Sequence, residues 1–160
     1  MVLKTPFRCE SVGSFLRPEK LKQARKGYEN GKISAQQLKA VEDECITDLI
    51  TKQKAAGLHA ITDGEFRRAT WHLDFMWGFD GVAHKKTENG VQFHGEAALI
   101  DDTWLPGKIS AGNHPFVEHF KFVKQFEDEN HIAKQTIPAP AQFFQQMIIP
   151  ANIETTRKFY

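Results

Sequence analysis

The sequence is informative first for what it lacks. It contains only two cysteines, Cys9 and Cys45, in 160 residues, and neither stands in a C-x-x-C pair. A disulfide framework is therefore excluded, and two reduced thiols in a cytoplasmic protein are the simplest interpretation. The formal net charge is only +1, so no strong field draws the chain to nucleic acid or to anionic lipid.

Long apolar segments and clustered metal ligands are missing as well. No apolar run is long enough to span a bilayer, and the N-terminus lacks the apolar centre of a signal peptide. The seven histidines show no metal-ligand spacing with either cysteine, so we expect no metal in this chain. Internal repeats and low-complexity segments are also absent from the sequence. We expect one α/β domain over residues 1–160, with neither nucleic acid nor a membrane as partner.

The apolar pattern predicts strands that alternate with helices. Strand character is found in three stretches: Arg8–Val12, Leu58–Thr62 and Ile132–Ile137. Pro18 is suited to the first position of a helix, and Ser34 with Gln37 predicts a capping box at the start of a longer helix. Strand–helix–strand units pair their strands in parallel through a right-handed crossover. We therefore expect the three strands to be parallel neighbours in one sheet.

Residues 69–113 interrupt this alternation. Aromatic residues cluster early in the segment, and Val91–Gly95 and Thr103–Ser110 are typical of short antiparallel strands. A segment of this length between two parallel strands is rarely a plain loop. We interpret it as an excursion over the strand ends, formed by a hairpin and a short helix. His114-Pro115 then begins another helix, and Phe143–Ile149 has the pattern of a further helical turn.

The run Ile61–Arg68 carries the strongest functional signal. An apolar strand ends there in an acid, a glycine, a second acid and two arginines. Buried parallel strands deliver polar side chains to their C-terminal ends, where α/β proteins bind ligands. Gly64 permits a tight turn, and Asp63 is expected to orient or cap it. Glu65 is the best ligand-binding candidate, and a salt bridge to one of the arginines is its structural alternative.

Two further blocks, Val12–Pro18 and Thr136–Pro140, accompany this run, and Trp71–Phe75 follows it. In this order they resemble the VGSFLRP, TDGEFRR, W-H-x-D-F and TIP-x-P patterns of the cobalamin-independent methionine synthase family, and most closely its short single-barrel members. The resemblance implies a (β/α)8 TIM-type barrel. A complete barrel needs about 250 residues. We therefore expect the N-terminal part of one, with about three parallel strands, their helices and the hairpin excursion.

The resemblance also implies a chemistry. The family transfers a methyl group from a methyltetrahydrofolate polyglutamate to the thiol of homocysteine in methionine biosynthesis, and a zinc ion holds the thiolate. The chain would be a homologue of 5-methyltetrahydropteroyltriglutamate–homocysteine S-methyltransferase. The family's zinc ligands, a His-x-Cys, a glutamate and a distant cysteine, lie in a later part of the barrel. We therefore expect zinc only in the complete domain, and neither a cofactor, a catalytic residue nor activity in this fragment.

By resemblance, substrate-binding roles are expected for Val12, Gly13, Ser14, Glu65, Arg67 and Arg68, and the pterin side is expected at Trp71 and His72. A carboxylate at Glu65 suits the amino group of homocysteine. We expect its side chain to face the barrel mouth, so that loss of its charge changes stability little. The arginines suit the anionic tail of a folate, although at least one is expected to clamp Glu65 or Asp74. A tight capped turn at Ser14 and a satellite aromatic core are the structural alternatives for the first and last groups.

Two other functions stay open from the sequence. One is a different enzyme on the same barrel, such as a uroporphyrinogen-decarboxylase-like protein, against which the DGEFRR run argues. The other is a truncated interaction module without catalysis. Open sheet edges and the apolar residues Phe143, Phe144, Ile148 and Ile149 lead us to expect self-association. A reading frame that continues to a His-x-Cys would favour the methyltransferase.

Overall fold

A computed structural model describes residues 10–85, 91–93, 96–98 and 102–145. The elements in these ranges are α1 (Glu19–Glu29), α2 (Ala35–Ala55), β1 (Ala60–Ile61), α3 (Leu73–Met76), β2 (Ala83–Lys85), β3 (Val91–Phe93), β4 (Glu96–Ala98), β5 (Asp102–Trp104), α4 (Pro115–Lys124), β6 (Ile132–Ala133) and α5 (Pro140–Gln145). The chain forms two compact units. The first comprises the chain up to Trp71 together with Val117–Thr136, and the second comprises His72–Phe116 and the chain from Ile137 onward.

The long helix α2 begins and ends where the sequence predicts. The Ser34 hydroxyl accepts a hydrogen bond from the Gln37 N–H at 3.2 Å, and the Gln37 side chain accepts one from the Ser34 N–H at 2.8 Å. This is the expected capping box. Gly57, with φ of 79°, follows the C-terminus in the left-handed conformation that favours glycine. The predicted helix and both of its ends are thus confirmed.

The parallel strands β1 and β6 form the sheet of the first unit. Ala60 lies opposite Ile132, and Ile61 lies opposite Ala133. Two ladder bonds join them: the Ile132 N–H donates to the His59 carbonyl at 2.8 Å, and the Lys134 N–H to the Ile61 carbonyl at 2.9 Å. The predicted parallel pairing of the second and third strands is confirmed, although both strands are shorter than their apolar patterns suggest.

The side chain of Gln53, near the end of α2, hydrogen-bonds to the backbone of the residue that follows β1. Its side-chain amide donates to the Thr62 carbonyl at 2.9 Å, and its side-chain oxygen accepts from the Thr62 N–H at 3.0 Å. Both residues are buried, so these backbone groups would otherwise lose their hydrogen bonds to water. A helix side chain thus replaces a strand and fixes the chain just before the polar turn.

The predicted first strand, Arg8–Val12, lies only partly within the described residues. Arg8 and Cys9 lie outside the described residues, and Glu10–Val12 has no strand conformation. The Lys134 ammonium reaches Glu10 at 2.8 Å and the Ser11 carbonyl at 3.1 Å, so a side chain, and not a backbone ladder, holds this segment. Val12 is 80% exposed and offers no burial to support a strand. The described part of the chain therefore has two parallel strands where the sequence suggested about three.

The core of the first unit lies between its helices and the sheet. It consists of Leu21 from α1, four α2 residues, Ile61, Phe66 and Val123, with Phe15, Val41, Phe122, Phe126 and Ala133 packed around it. The α2 contribution is Cys45, Ile46, Leu49 and Ile50, which form the apolar stripe that the sequence predicts. The stripe also includes Glu42 and Gln53, whose burial the pattern did not indicate. Because Phe66 belongs to this core, its side chain anchors the polar run Ile61–Arg68 to the core.

The second unit contains antiparallel pairs and the short helix α3. Strand β2 pairs with β5, placing Ala83 opposite Trp104, and β3 pairs with β4, placing Val91 opposite Ala98. The short helix is confirmed, but the predicted strand Thr103–Ser110 ends at Trp104, and the two predicted strands pair with other neighbours and not with each other. Only two residues separate β3 from β4, a spacing at which neighbouring strands pair with each other.

The predicted helix at His114-Pro115 is confirmed as α4, which ends at Lys124. Helix α5 is described from Pro140 to Gln145, so the predicted turn Phe143–Ile149 lies only partly within the described residues. The predicted apolar tail at Ile148 and Ile149 lies outside the described residues. Within the described ranges, no helix combines the length and the apolar character needed to cross a membrane.

Candidate functional site

The polar turn after β1 has an unusual backbone. Gly64 has φ of 61°. Glu65 has φ of 58°, and among the described residues it is the one non-glycine residue in this left-handed region. The Phe15 N–H donates to the Gly64 carbonyl at 3.1 Å. A Cβ on Gly64 would lie 2.4 Å from Leu49 Cδ2, so only glycine fits without movement. A left-handed glutamate persists only where its surroundings hold it, and such residues concentrate at functional sites.

The Glu65 carboxylate is the centre of a buried polar group. One oxygen accepts a hydrogen bond from the Ser14 hydroxyl at 2.7 Å. The other accepts from the Thr136 hydroxyl at 2.8 Å and from Arg68 Nη1 at 3.2 Å. Glu65 is only 4% exposed. A carboxylate offers about four acceptor sites, so three of them are filled here.

Arg68 joins the three sequence blocks. It is 2% exposed, and besides Glu65 it donates to the Trp71 carbonyl at 3.2 Å. It also donates to the Thr136 carbonyl and, at 3.1 Å, to the Thr136 hydroxyl. The expected arginine clamp on Glu65 is confirmed. Ser14, Glu65, Arg68 and Thr136 are hereafter the Glu65 cluster.

Two members of this neighbourhood were missed from the sequence. Thr136 was assigned only to a strand end, yet β6 is parallel to β1, and parallel strands bring their C-terminal ends to one edge. That shared edge is the signal that could have identified it. Arg17, in the Val12–Pro18 block, donates to the Glu65 carbonyl at 3.0 Å and to the Arg68 carbonyl at 2.8 Å. No local pattern indicated that its partners would be backbone carbonyls.

Arg67 takes part in a different group. Its guanidinium donates to Glu42 at 3.1 Å and also to Asp43, both on α2, and its carbon atom lies 5.1 Å from the centre of the Phe122 ring. Its side chain is 5% exposed. We call Glu42, Asp43, Arg67 and Phe122 the Glu42 cluster. The structure thus separates Arg67 from the Glu65 carboxylate, while its predicted folate role stays a prediction.

Burial and charge act differently on the acids of this cluster. Burial raises the pKa of Glu42, against the opposing effect of the arginine charges beside it. Asp43 is also partly desolvated, but hydrogen bonds from Lys39 and Arg67 outweigh that effect and lower its pKa. Arg67 lies on the turn, and both acids that accept its hydrogen bonds lie on α2. This ion pair therefore holds α2 against the turn.

Asp63 orients the turn, as the sequence suggested. Its Oδ1 accepts a hydrogen bond from the Glu65 N–H at 2.9 Å, which is an Asx-type turn. Within the described part of the chain, its other oxygen is buried and has no hydrogen-bond partner. Burial raises the pKa of this carboxyl, because removal from water disfavours the charged form.

The remaining predicted residues have varied positions. Val12 is exposed, and Gly13, with φ of 85°, has no atom within 4 Å of the place that a Cβ would occupy. The space next to Gly13, which precedes Ser14 in the chain, is therefore open. Trp71 is half-exposed in the first unit, whereas His72 is buried in the second. The predicted pterin-side pair is thus divided between the two units.

Metal ligands do not converge in the described part of the chain. No three histidine, cysteine, aspartate or glutamate side chains come together there as a metal-binding group. The acids of both clusters instead face guanidinium groups.

Sequence comparisons identify relatives for most of the chain. A family model described as the catalytic domain of cobalamin-independent synthase matches residues 7–108. The Bacillus subtilis (strain 168) protein YxjG is 40% identical over 141 residues, which are 88% of this chain and 37% of that protein. A methionine synthase of Sulfolobus acidocaldarius is 25% identical over 134 residues, covering 81% of this chain and 37% of that enzyme. The chain thus spans little more than a third of these relatives.

Solved structures agree with these matches. A Listeria monocytogenes protein assigned as a vitamin-B12 independent methionine synthase superposes with a TM-score of 0.72 and 39% identity, covering 89% of this chain and 39% of that one. A B12-independent methionine synthase of Shewanella sp. W3-18-1 gives a TM-score of 0.57 at 18% identity, covering 79% of this chain and 36% of that one. The second match supports the fold alone.

Proposed function

This chain belongs to the family of cobalamin-independent synthase catalytic domains, and from that membership we propose that its Glu65 cluster binds the amino-acid substrate of a methyl transfer. The substrate in this proposal is homocysteine, and its ammonium group is received by Glu65. The observation that carries the proposal is a buried carboxylate that two hydroxyl groups and one arginine hold in a left-handed turn.

The chemistry of the Glu65 cluster suits an ammonium ligand. Glu65 retains about one acceptor site beyond the three that are filled. The Ser14 hydroxyl is both donor and acceptor, so it can rotate to accept a hydrogen bond from the ligand's ammonium group or to donate one to the ligand's carboxylate. Next to it, Gly13 leaves open space. An ammonium–carboxylate bond in a site that excludes water is stronger than the same bond in solution.

The proposal places the chain in a larger protein. The parallel strands β1 and β6 with their helices would form the N-terminal part of a (β/α)8 barrel, whose ligand sites lie at the C-terminal ends of the strands. The remaining part of the barrel would supply the zinc ion that activates the thiol. The methyl donor in this proposal is a methyltetrahydrofolate polyglutamate. This chain would then bind and orient the amino acid and would not catalyse the transfer alone.

The folate side of the proposal rests on weaker support. Trp71 is half-exposed, and a flat apolar ring suits stacking against a pterin. His72 is buried, and its carbonyl accepts from the Met76 N–H. The Arg67 side chain is 5% exposed and donates to Glu42. A cytoplasmic location is part of the same proposal. It would keep Cys45, the free buried cysteine among the described residues, in its reduced state.

Self-association is a further part of the proposal. Val12 and Leu16 are 80% and 97% exposed, and large apolar side chains at such exposure are typical of contact surfaces when they are contiguous. Sedimentation over a range of concentrations tests this directly. A dimer or larger species that forms as concentration rises supports the proposal, and a monomer throughout contradicts it.

Calorimetric titration with L-homocysteine and L-methionine tests the proposed site. We expect the protein to bind both amino acids and Glu65→Gln to weaken binding at least tenfold, which corresponds to about 1.4 kcal/mol. Glu44→Gln is the matched control, because Glu44 is an exposed acid that pairs with Lys20 at the surface. Binding that is absent, or equal in both variants, would contradict the proposal.

A further inference from the structure

We infer that Arg17 is a positioning residue for Glu65. It holds the backbone that presents the carboxylate, without touching the carboxylate itself. The inference deepens the proposed function and rests on it, because it assigns a residue that prepares the same site for its amino-acid ligand. Two observations carry it: Arg17 donates to two carbonyls of the turn, and Glu65 has a left-handed backbone.

The two carbonyls mark the ends of one short segment. Arg17 Nη2 donates to the Glu65 carbonyl at 3.0 Å and to the Arg68 carbonyl at 2.8 Å. The Arg68 N–H also donates to the Glu65 carbonyl at 3.1 Å. Arg17 thus bridges the backbones of Glu65 and Arg68, whose side chains pair with each other. Both functional side chains depend on the backbone that this bridge fixes.

A second bond connects the same segment to the block that contains Arg17. The Phe15 N–H donates to the Gly64 carbonyl at 3.1 Å, while the Ser14 hydroxyl reaches the Glu65 carboxylate. Residues 14, 15 and 17 therefore contact the turn at three places, and only Ser14 touches the carboxylate. This division separates a ligand-facing contact from two contacts to the backbone.

The surroundings show why such a bridge is needed. Glutamate is disfavoured at positive φ because its Cβ approaches the adjacent carbonyl. A turn in this conformation relaxes unless neighbouring groups determine it. Arg25 donates to the Phe66 carbonyl between the two positions, but it also lies 3.6 Å from Glu42 and so connects the turn to the Glu42 cluster. Arg17 is the cation whose described bonds both end on the segment from Glu65 to Arg68.

A double-mutant cycle with L-methionine as the probe tests the inference. We expect Arg17→Met to weaken binding about tenfold in the native background and less than twofold in the Glu65→Gln background, since both changes act through one carboxylate. Arg17→Lys retains a cation and should recover part of the affinity. Val123→Ala is the control for stability, because it truncates a fully buried core side chain on α4 and removes no hydrogen-bonding group from the turn.

Amide hydrogen exchange supplies a readout that needs no ligand. Arg17→Met should accelerate exchange at the Phe15 and Arg68 amides at least tenfold, with less than threefold change at core amides of α2. Val123→Ala should accelerate exchange across the first unit. Additive losses in the cycle, or uniform exchange in Arg17→Met, would overturn the inference and leave Arg17 as a stability residue. If Glu65→Gln binds as tightly as the native protein, the proposed function fails, and the exchange data alone then decide the role of Arg17.

Discussion

Adjacent arginines in one turn serve two clusters of different chemistry. Arg68 enters the Glu65 cluster, where two hydroxyl groups share the carboxylate with it. Arg67 enters the Glu42 cluster, which consists of two acids and an aromatic ring. Both arginines are buried, so burial does not distinguish the two clusters. The distinction lies in the partners: hydroxyl groups can exchange their hydrogen bonds with a ligand, whereas the acids of the Glu42 cluster are paired with charged side chains.

The largest expected effect follows from removal of Arg67. Arg67→Met leaves Glu42 buried without its closest cation, and breaking a buried pair costs about 3–5 kcal/mol. Chemical denaturation should report this loss, while affinity for L-methionine, measured where the protein is folded, should change less than threefold. Lys52→Met is the control, because that exposed lysine pairs with Asp48 at the surface and should cost about 0.5 kcal/mol or less. A large loss of affinity with intact stability would reverse the roles of the two clusters.

Removal of the Glu65 charge should give an intermediate loss of stability and the larger loss of binding. Glu65→Gln keeps one acceptor oxygen, replaces the other with an NH2 donor opposite one of the two hydroxyl groups, and removes the ion pair to Arg68. We expect about 2 kcal/mol by denaturation, in the range of a hydrogen bond to a charged group. The burial of Glu65 therefore argues against the expectation from the sequence that its charge matters little for stability. Unchanged stability together with lost binding would support that earlier expectation.

A matched pair of glycine substitutions separates packing from backbone strain. Gly64→Ala and Gly13→Ala both place a Cβ at positive φ, but only at Gly64 does that Cβ meet Leu49 Cδ2 at 2.4 Å. Strain should be similar at the two sites, and overpacking adds about 1–3 kcal/mol at Gly64. Melting of the two variants side by side measures the difference. Equal losses would mean that Leu49 moves aside without cost.

The smallest effect is expected at Asp63. Asp63→Asn keeps an acceptor for the Glu65 N–H, so stability at neutral pH should stay within about 1 kcal/mol of the native protein. Burial raises the folded-state pKa of Asp63 above the ordinary value of 3.8. The folded protein therefore binds this proton more tightly than the unfolded chain, and stability falls as the pH rises from that value through the folded-state pKa. The variant should lose this part of the pH dependence, and an unchanged profile would contradict the assignment.

The sequence predicted the fold of the first unit better than the partners within its site. Capping at Ser34 and the turn at Gly64 depend on residues a few positions apart, so local chemistry was sufficient. The contacts of Arg17 and Thr136 join residues 48 to 71 positions apart, which only the tertiary structure determines. The first strand was predicted at Arg8–Val12, before the turn at Gly13, and the exposure of Val12 shows that the end of this segment has no surface on which to pack.

An NMR titration of the protein with L-methionine tests most directly whether the Glu65 cluster, and not the Glu42 cluster, receives the amino acid. The account predicts saturable shifts of the Ser14, Glu65 and Thr136 amides, with little change at Glu42 and Asp43. Glu65→Gln should abolish those shifts at the same ligand concentrations. Shifts centred on Glu42 and Asp43, or a spectrum that does not change with ligand, would contradict the account.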